Sequence, residues 1–376
     1  MRQLNYRPAV RWYLPKIIGQ VLDEITSVRT ERCEYNFLAR QSPPLRIAED
    51  ELIERIRRRI PSAEGGGLRL GIGHDAALID PQGRNWVVTC DQFLEGVHFV
   101  TDKHPPESVG YKALVRATSD VVAMAARPRF FLLSLALPAE RTGIWLNRML
   151  AGMARASKLL RMRLAGGDTA RSPGHKGRIG LNIIVLGENL TGRQLGRAGA
   201  KPGDGIYVTG ILGRAQLGLE LVLRGVSRQP KYSRLLAPHY YPVLPVDFAL
   251  WLGRHQLPSA MMDISDGLST DLARLCRASG AGARIYAEEM PLVSVTRIPP
   301  QLAKVDPLTL ALHGGEDYGL LFTVPKRLGP KIPRIFRGTR ITQIGEIVRG
   351  SGVRIIGANG KASLLRPGGW DHFTRR

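Results

Sequence analysis

Seven aspartates of this chain stand in short segments that adjoin apolar runs, and the segments of six of them contain glycine or serine. The seven are Asp75, Asp91, Asp120, Asp168, Asp263, Asp266 and Asp317. We expect each of them at a turn or a strand end, where its carboxylate is accessible. Carboxylate oxygens are the ligands that Mg²⁺ prefers in proteins, and several clustered Mg²⁺ ions typically bind a polyphosphate. The pattern therefore predicts a site at which metal ions hold a polyphosphate.

Other ways of binding a nucleotide find little support in the sequence. The segment G-I-G-H-D-A at 71–76 matches a dinucleotide-binding fingerprint, but that fingerprint requires a helix to begin there, and the chain instead reaches a turn at Pro81. There is no G-x-x-x-x-G-K-[ST] segment and no set of protein-kinase motifs. An ATP site would therefore depend on metals held by acids. A single such aspartate is more often a cap or turn residue, and only the combination favours a metal site.

Two further segments carry candidate ligand contacts. In G-G-E-D-Y at 314–318, the paired carboxylates of Glu316 and Asp317 suit metal or substrate binding, and the alternative is a tight turn before a strand. His98 stands close in sequence to Glu95 and Asp91, which makes it a candidate substrate contact. A lone histidine is nevertheless more often a core residue whose hydrogen bonds are satisfied.

The composition restricts the partners and the compartment. The chain has 376 residues and a formal net charge of +22, which attracts anions. Its basic residues are scattered, with no nucleic-acid-binding motif, so we interpret the charge as a general basic bias and expect no nucleic-acid partner. The three cysteines lack C-x-x-C spacing, which argues against disulfides and zinc. No apolar run reaches the ~18 residues of a membrane helix, and no secretory signal is evident. We expect a cytoplasmic protein without membrane contact.

The order of apolar and amphipathic segments predicts a mixed α/β (α+β) fold. We expect an N-terminal extension at 1–42, a first domain at 43–196 and a second domain at 197–376. Helices are expected at 17–28, 48–60, 107–126, 142–160, 213–225 and 246–256. Strands are expected at 68–72, 76–80, 86–90, 130–137, 180–188 and 319–324. We also expect a strand and turn at 163–169, a turn followed by a strand at 200–210, and a strand, turn and helix at 260–272. The segment 227–240 reads as a polar linker, and the chain is expected to turn around Gly83.

The run of motifs resembles the thiamine-monophosphate kinase family over about residues 46–373. In order, the motifs are G-I-G-H-D-A-A, T-C-D-Q-F-L-E-G-V-H-F, Y-K-A-L, S-D-V-V-A-M-A-A-R-P, G-G-D-T, R-A-G-A-K-P-G-D, D-I-S-D-G-L, G-G-E-D-Y and G-W-D-H-F. The wider superfamily includes aminoimidazole ribonucleotide synthetase, selenophosphate synthetase and a hydrogenase-maturation protein. Those relatives share the layout of ATP and metals but not this run of motifs.

The resemblance implies a two-domain fold of the aminoimidazole ribonucleotide synthetase type, in which the N-terminal domains of a homodimer pair into a β-barrel. It implies that ATP, as co-substrate, phosphorylates thiamine monophosphate to thiamine diphosphate with Mg²⁺ as cofactor. The main alternative is another ATP-dependent synthetase of the superfamily. The selenophosphate branch is disfavoured, because no reactive cysteine stands in a glycine-rich N-terminal loop. A second alternative is a non-catalytic protein that binds phosphate or nucleic acid.

The resemblance also assigns residues to roles. The metal ligands would be Asp75, Thr89, Cys90, Asp91, Asp120, Asp168, Asp263 and Asp266. The ATP contacts would be Gly167, Asp168, Arg197 and Ser265. The contacts to thiamine monophosphate would be His98, Glu316 and Trp370. We expect the catalytic metals, which lie nearest the transferred group, to be held by Asp91, Asp120 and Asp168.

The chain departs from the family pattern at two positions. His74 stands where the family usually has an acid, so the local charge is less negative, while Asp75 keeps the position of the ligand. Cys90 stands where threonine is usual, and we expect it to contribute its backbone oxygen.

Overall fold

The computed structural model describes residues 68–70, 74–80, 85–172, 178–192, 195–227, 229–296 and 298–373. The helices expected at 17–28 and 48–60 and the turn around Gly83 lie outside these residues. The described residues as far as Asp371 belong to one compact unit, and His372 and Phe373 are assigned to a second unit. No helix in the described part of the chain combines the length and the apolar character needed to cross a bilayer.

In the first part of the described chain, six strands form one sheet in the spatial order β1-β2-β3-β6-β4-β5. The strands are β1 (Leu68–Leu70), β2 (Ala77–Ile79), β3 (Trp86–Leu94), β4 (Arg127–Leu137), β5 (Arg163–Arg171) and β6 (Gly180–Glu188). All neighbouring strands are antiparallel except β4 and β5, which are parallel. Along β6 the buried residues alternate with half-buried ones, as expected of a sheet with one face turned to a core.

Two helices pack over that sheet, and two glycines permit their close contact. Helix α1 spans Pro106–Ala123 and helix α2 spans Ile144–Leu160. A proline at the start of α1 and Glu107 in its first turn suit a helix N-terminus. A Cβ atom on Gly110 would lie 1.9 Å from the carbonyl oxygen of Met149, and one on Gly152 would lie 1.9 Å from that of Glu107. The two backbones therefore approach more closely than any larger residue allows.

The rest of the described chain builds a second mixed sheet, in the order β14-β13-β9-β12-β7-β10-β8, with β11 beside β12. Its strands are β7 (Gly205–Thr209), β8 (Ala260–Asp263), β9 (Gly282–Tyr286), β10 (Leu320–Val324), β11 (Ile335–Phe336), β12 (Thr339–Val348), β13 (Val353–Ile356) and β14 (Ala362–Leu365). Its helices are α3 (Arg214–Leu223), α4 (Ser233–Tyr240), α5 (Val246–Arg254), α6 (Leu268–Ser279) and α7 (Pro307–His313). Short 3₁₀ turns join some of these elements. All residues of β7, β8 and β10 are buried.

One hydrophobic core reaches from the first sheet into the second part of the chain. Buried residues of α1, such as Leu114 and Val121, belong to the same cluster as Phe248 of α5 and Phe322 of β10. Helix α1 also contacts β8, α4 and α5. It is therefore the element that can bring side chains of the first sheet to those of the second.

The two mixed sheets confirm the predicted α/β class, and β6 coincides with the strand expected at 180–188. The expectation of a turn or strand end is wrong for Asp91, which lies inside β3, and for Asp168, which lies inside β5, whereas Asp120 lies in the helix expected at 107–126. Strand β5 continues to Arg171 because it pairs with β4 along that whole length. The polar linker expected at 227–240 is also wrong, because it contains α4.

Candidate active site

Three carboxylates from separate elements converge in the described part of the chain. Asp75 precedes β2, Asp120 lies in α1 and Asp263 ends β8, and an oxygen of each lies within 4.8 Å of the others. Burial, together with the charges of Asp263, Asp91 and Asp75, raises the pKa of Asp120 well above its usual value. Burial and the charge of Asp75 raise the pKa of Asp263 to about 7. A cluster of carboxylates that repel one another in this way is suited to a bound cation.

Hydrogen bonds hold these carboxylates in place. Thr89 Oγ1 donates to Asp120 Oδ2 at 2.7 Å, and Ser119 Oγ donates to Asp263 Oδ2 at 2.6 Å. Arg197 donates to Asp75 Oδ1 from Nε at 2.9 Å and from Nη2 at 2.7 Å. Asp75 Oδ2 is buried and has no hydrogen-bond partner among the described residues. A buried acceptor of this kind normally has a partner, so its position within the cluster fits a metal ion.

Strand β3 presents Asp91 and Thr89 on one face and Cys90 on the other. Arg116 of α1 binds Asp91 through two hydrogen bonds, from Nε to Oδ2 at 2.7 Å and from Nη2 to Oδ1 at 3.2 Å. Cys90 Sγ instead contacts Asn182 Oδ1 of β6 at 3.1 Å. The sulfur therefore points away from the side chains of Thr89 and Asp91, which leaves the backbone oxygen of Cys90 as its candidate ligand atom.

The loop after β8 is shaped by an aspartate that the sequence analysis did not single out. Asp271 Oδ2 accepts the backbone N–H groups of Ser265, Asp266 and Gly267, each at 3.1 Å. Arg274 pairs with Asp266 Oδ2 and lies 3.5 Å from Asp271 Oδ1. Burial, followed by the charges of Asp266 and Asp263, raises the pKa of Asp271 well above its usual value. Asp271 thus orders the segment that presents Ser265 and Asp266.

Asp168 lies apart from the three aspartates that converge. Asp168 is exposed in β5, at the edge of the first sheet, and it is not among the carboxylates that meet within 4.8 Å in the described residues. The neighbouring Gly167 packs against the carbonyl oxygen of Leu133 in β4. The metal and ATP roles of Gly167 and Asp168 therefore stay predictions.

Asp317 has a different role from the one that its motif indicated. Its Oδ2 accepts the N–H of Gly213 at 2.6 Å, and its Oδ1 accepts the N–H of Ala215 at 3.0 Å, so it caps the N-terminus of α3. Burial raises the pKa of Asp317 to about 6, although these backbone donors oppose the rise. The expectation that Asp317 is a metal ligand is corrected, because both of its oxygens serve a helix end.

The predicted contacts to the acceptor substrate have distinct surroundings. Glu316 has a backbone φ of +69°, and its Oε2 accepts from Lys112 Nζ at 2.6 Å. Burial acts to raise the pKa of Glu316, but Lys112 and then His239 hold it below its usual value. His98 Nδ1 accepts the N–H of Leu94 at 2.9 Å. The backbone N–H of Trp370 donates to Asp266 O at 2.8 Å, and 45% of the Trp370 side chain is exposed.

Sequence reasoning missed the basic residues that accompany the acids on α1. Lys112, Arg116 and Asp120 are spaced by four residues and therefore share one face of the helix. Each of them contacts a predicted site residue, respectively Glu316, Asp91 and Thr89. Counting back from Asp120 in steps of four along the predicted helix would have identified both basic residues.

Comparisons with known proteins match both parts of the chain. Residues 73–189 match the family model of the AIR synthase related protein, N-terminal domain, and residues 201–358 match that of the C-terminal domain. Thiamine-monophosphate kinase of Aquifex aeolicus is 33% identical over 329 residues, which cover 87% of this chain and 98% of that protein. The Escherichia coli K12 enzyme of the same name is 33% identical over 333 residues, with coverage of 87% and 98%. A solved structure, AaThiL complexed with AMPPCP and TMP, has a TM-score of 0.75 and 33% identity, and covers 88% of this chain and all of its own.

Proposed function

We infer that this chain, which belongs to the thiamine-monophosphate kinase family of AIR synthase related proteins, transfers the γ-phosphoryl group of ATP to thiamine monophosphate. The product would be thiamine diphosphate. The observation that carries this proposal is the convergence of Asp75, Asp120 and Asp263, together with a buried oxygen of Asp75 that has no hydrogen-bond partner in the described part of the chain. Relatives that carry this enzyme's name cover most of the chain and support the same activity.

We propose that Mg²⁺ is held by the three converging acids together with the other predicted ligands. The full set is Asp75, Thr89, Cys90, Asp91, Asp120, Asp168, Asp263 and Asp266, with Cys90 contributing its backbone oxygen. Bound Mg²⁺ neutralises phosphate charge and favours in-line transfer. Every donor atom in this set is an oxygen, which is the chemistry that Mg²⁺ prefers.

The remaining tasks fall to side chains that bind and orient the two substrates. Arg197 supplies a cation beside Asp75, and we propose that it contacts ATP together with Gly167, Asp168 and Ser265. The acceptor is a phosphate monoester whose second pKa is about 6, so its oxygen is already anionic near neutral pH. No strong general base is then required. We propose that His98, Glu316 and Trp370 hold the acceptor so that this oxygen faces the transferred group.

We propose that two chains pair through the outer face of the first sheet. Leu186 of β6 lies between Val88 of β3 and Phe130 of β4, and none of the three is buried. All nine residues of β5, the edge strand, are exposed. An apolar sheet face and an unpaired edge are features that a second sheet covers.

We also propose that the chain is divided into an extension at 1–42 and domains at 43–196 and 197–376, and that the protein is cytoplasmic.

The proposed activity is tested against its alternatives with a panel of acceptors. We expect the purified chain with Mg²⁺ and ATP to release ADP with thiamine monophosphate, and to release none above background with thiamine, which lacks the acceptor phosphate. ADP release with an acceptor of a sister synthetase, and none with thiamine monophosphate, would favour the first alternative. A salt-sensitive RNA complex without any ATP turnover would favour the non-catalytic alternative.

A further inference from the structure

A buried chain of polar side chains joins Glu316 to the segment that carries His98. It runs from Glu316 through Lys112, His239 and His104 to the backbone of Val100. We propose that Lys112 and His239 are positioning residues, which set the Glu316 carboxylate and hold the His98 segment for capture of the acceptor substrate. The inference rests on the proposed function, because that proposal is what assigns Glu316 and His98 to the acceptor.

The contacts form an unbroken path between distant parts of the chain. Lys112 Nζ lies 2.6 Å from Glu316 Oε2 and 3.3 Å from His239 Nδ1. His239 Nε2 lies 3.1 Å from His104 Nε2, and His104 Nδ1 lies 3.1 Å from Val100 O. The path thus connects the loop before β10 with α1, α4 and the segment that leads from β3 into α1.

These groups are buried far more deeply than their polarity favours. The exposed fraction is 2% for Lys112, 1% for His239 and 7% for His104. Taking such groups out of water costs free energy, and apolar residues of similar volume often stabilise a core at least as well. A gain in stability therefore does not explain this buried polar path, and a requirement that its side chains keep a fixed geometry does.

Burial lowers the pKa of Lys112, and the charge and hydrogen bond of Glu316 oppose that shift. When Lys112 is charged in this ion pair, its ammonium sets the direction of the hydrogen bonds. An ammonium group has donors only, so Nδ1 of His239 accepts from Lys112. His239 Nε2–H then donates to His104 Nε2, and His104 Nδ1–H donates to Val100 O. The opposite direction would place an N–H of His239 against the ammonium. With Lys112 charged, the contact of its ammonium with His239 therefore favours His239 protonated on Nε2 and His104 protonated on Nδ1. The backbone N–H of Val100 also lies 3.1 Å from His104 Nδ1 and would donate there in the opposite tautomer.

Both imidazoles must be neutral for this path to exist. Burial, together with His239 and Lys112, lowers the pKa of His104 to about 4. Burial, followed by the charge of Lys112, lowers the pKa of His239. The titratable groups around the path are Glu316, which opposes both shifts, Arg116, which acts on Lys112, and Tyr240, whose ring contacts both histidines.

Each end of the path bears on a predicted acceptor contact. At one end, the Lys112 ammonium donates to Oε2 of Glu316 at 2.6 Å, and His239 accepts from the same ammonium, which fixes the position of the Glu316 carboxylate. At the other end, Val100 O also accepts the N–H groups of Lys103 and His104. The ring of His104 therefore contacts the turn that begins at Val100, two residues after His98.

Two substitutions test the role of the path. We expect Lys112→Met, which removes the donor, to raise the KM for thiamine monophosphate about tenfold or more, with the KM for ATP within about twofold of wild type. His239→Asn keeps an acceptor for Lys112 but loses the link to His104, and we expect a smaller rise of about threefold in the same KM. His255→Asn is the matched control, because His255 is exposed at the end of α5 and bonds only locally.

Nitrogen NMR of histidine-labelled protein without substrates tests the path separately from catalysis. At pH 7 we expect His239 protonated on Nε2 and His104 protonated on Nδ1. The opposite tautomers, or a charged ring, would overturn the inference. So would an unchanged KM for thiamine monophosphate in folded Lys112→Met, or in His239→Asn if Lys112→Met does not fold, while wild type makes thiamine diphosphate. A wild-type chain that makes no thiamine diphosphate would contradict the proposed function instead, and the tautomers would still decide the hydrogen-bonded path.

Discussion

When no cation is bound, burial first and then repulsion between neighbouring carboxylates disfavour the charged forms of Asp120 and Asp263. The burial that raises the pKa of Asp120 and Asp263 also means that their charges are poorly screened. A bound cation converts that repulsion into attraction. Metal binding should therefore stabilise the fold as well as the reacting phosphates.

Asp120→Asn tests both the effect of the metal on stability and its effect on the reaction. Removal of one charge should raise the thermal midpoint of the metal-free protein, abolish most of the stabilisation by Mg²⁺, and lower turnover by at least ~10²-fold. Calorimetry with and without Mg²⁺ and steady-state rates give the three values. The matched control is Asp247→Asn, since Asp247 is an exposed surface acid paired with Arg337. Wild-type turnover in Asp120→Asn would refute the assignment of Asp120.

His104 is expected to make the fold sensitive to acid. Its pKa of about 4 in the folded chain lies below the ordinary 6.5, so the unfolded chain binds the proton first as the pH falls. The contribution of neutral His104 to the free energy of unfolding is thus fully present above pH 6.5, and about 3 kcal/mol of it is lost as the pH falls to 4. Urea unfolding at pH 7 and pH 4 measures how much free energy of unfolding is lost on acidification. This loss should be smaller in His104→Gln than in wild type by about 3 kcal/mol. An equal loss in both proteins would contradict the placement of His104.

At the scale of elements, helix α1 determines the geometry of the site. It carries Lys112 toward Glu316, Arg116 toward Asp91, and Asp120 toward Asp75 and Asp263. Its position depends on the close approach of α2, which Gly152 permits. A displacement of α1 would move all of these contacts together.

Gly152→Ala should therefore impair stability and activity at once. The new Cβ would lie 1.9 Å from Glu107 O, so α1 and α2 must separate. We expect a loss of about 2 kcal/mol or more in the free energy of unfolding and roughly tenfold or more lower turnover. Gly143→Ala is the control, because a Cβ there meets nothing within 4 Å. Wild-type rates in Gly152→Ala would show that α1 is not constrained in this way.

The elements also show what the sequence can and cannot predict. The apolar alternation of β6 and the long apolar stripe of α1 made both visible, because their periods reflect burial directly. The glycines before Asp168 indicated a turn, but pairing with neighbouring strands keeps both Asp91 and Asp168 in strands. Helix α4 was missed because Pro238 and polar residues hide its short apolar face.

The motifs predicted which acids belong to the site but not how they are paired. Asp75, Asp120 and Asp263 converge as expected, since each motif marks its own element. The contact of Lys112 with Glu316 joins residues 204 positions apart, and that of Lys112 with His239 joins residues 127 apart. No local pattern encodes such pairs, because they form only when tertiary structure brings the elements together.

At the scale of the whole molecule, the outer face of the first sheet is expected to hold two chains together. Phe130→Asp places a charge among Val88, Leu186 and the facing chain, so light scattering should show a monomer where wild type shows a dimer. Val243→Asp is the control, because Val243 is apolar, 73% exposed and stands in the connection between α4 and α5 rather than in the first sheet. A dimer that persists in Phe130→Asp would contradict this choice of interface.

The transfer of the label from ATP to thiamine monophosphate is the most direct test of the central claim. Purified protein is mixed with Mg²⁺, thiamine monophosphate and ATP labelled on the γ-phosphate, and the products are separated. We expect labelled thiamine diphosphate, which disappears when Mg²⁺ is chelated and falls by at least ~10²-fold in Asp120→Asn. Folded protein that hydrolyses ATP or binds it without labelling thiamine diphosphate would contradict the proposed reaction.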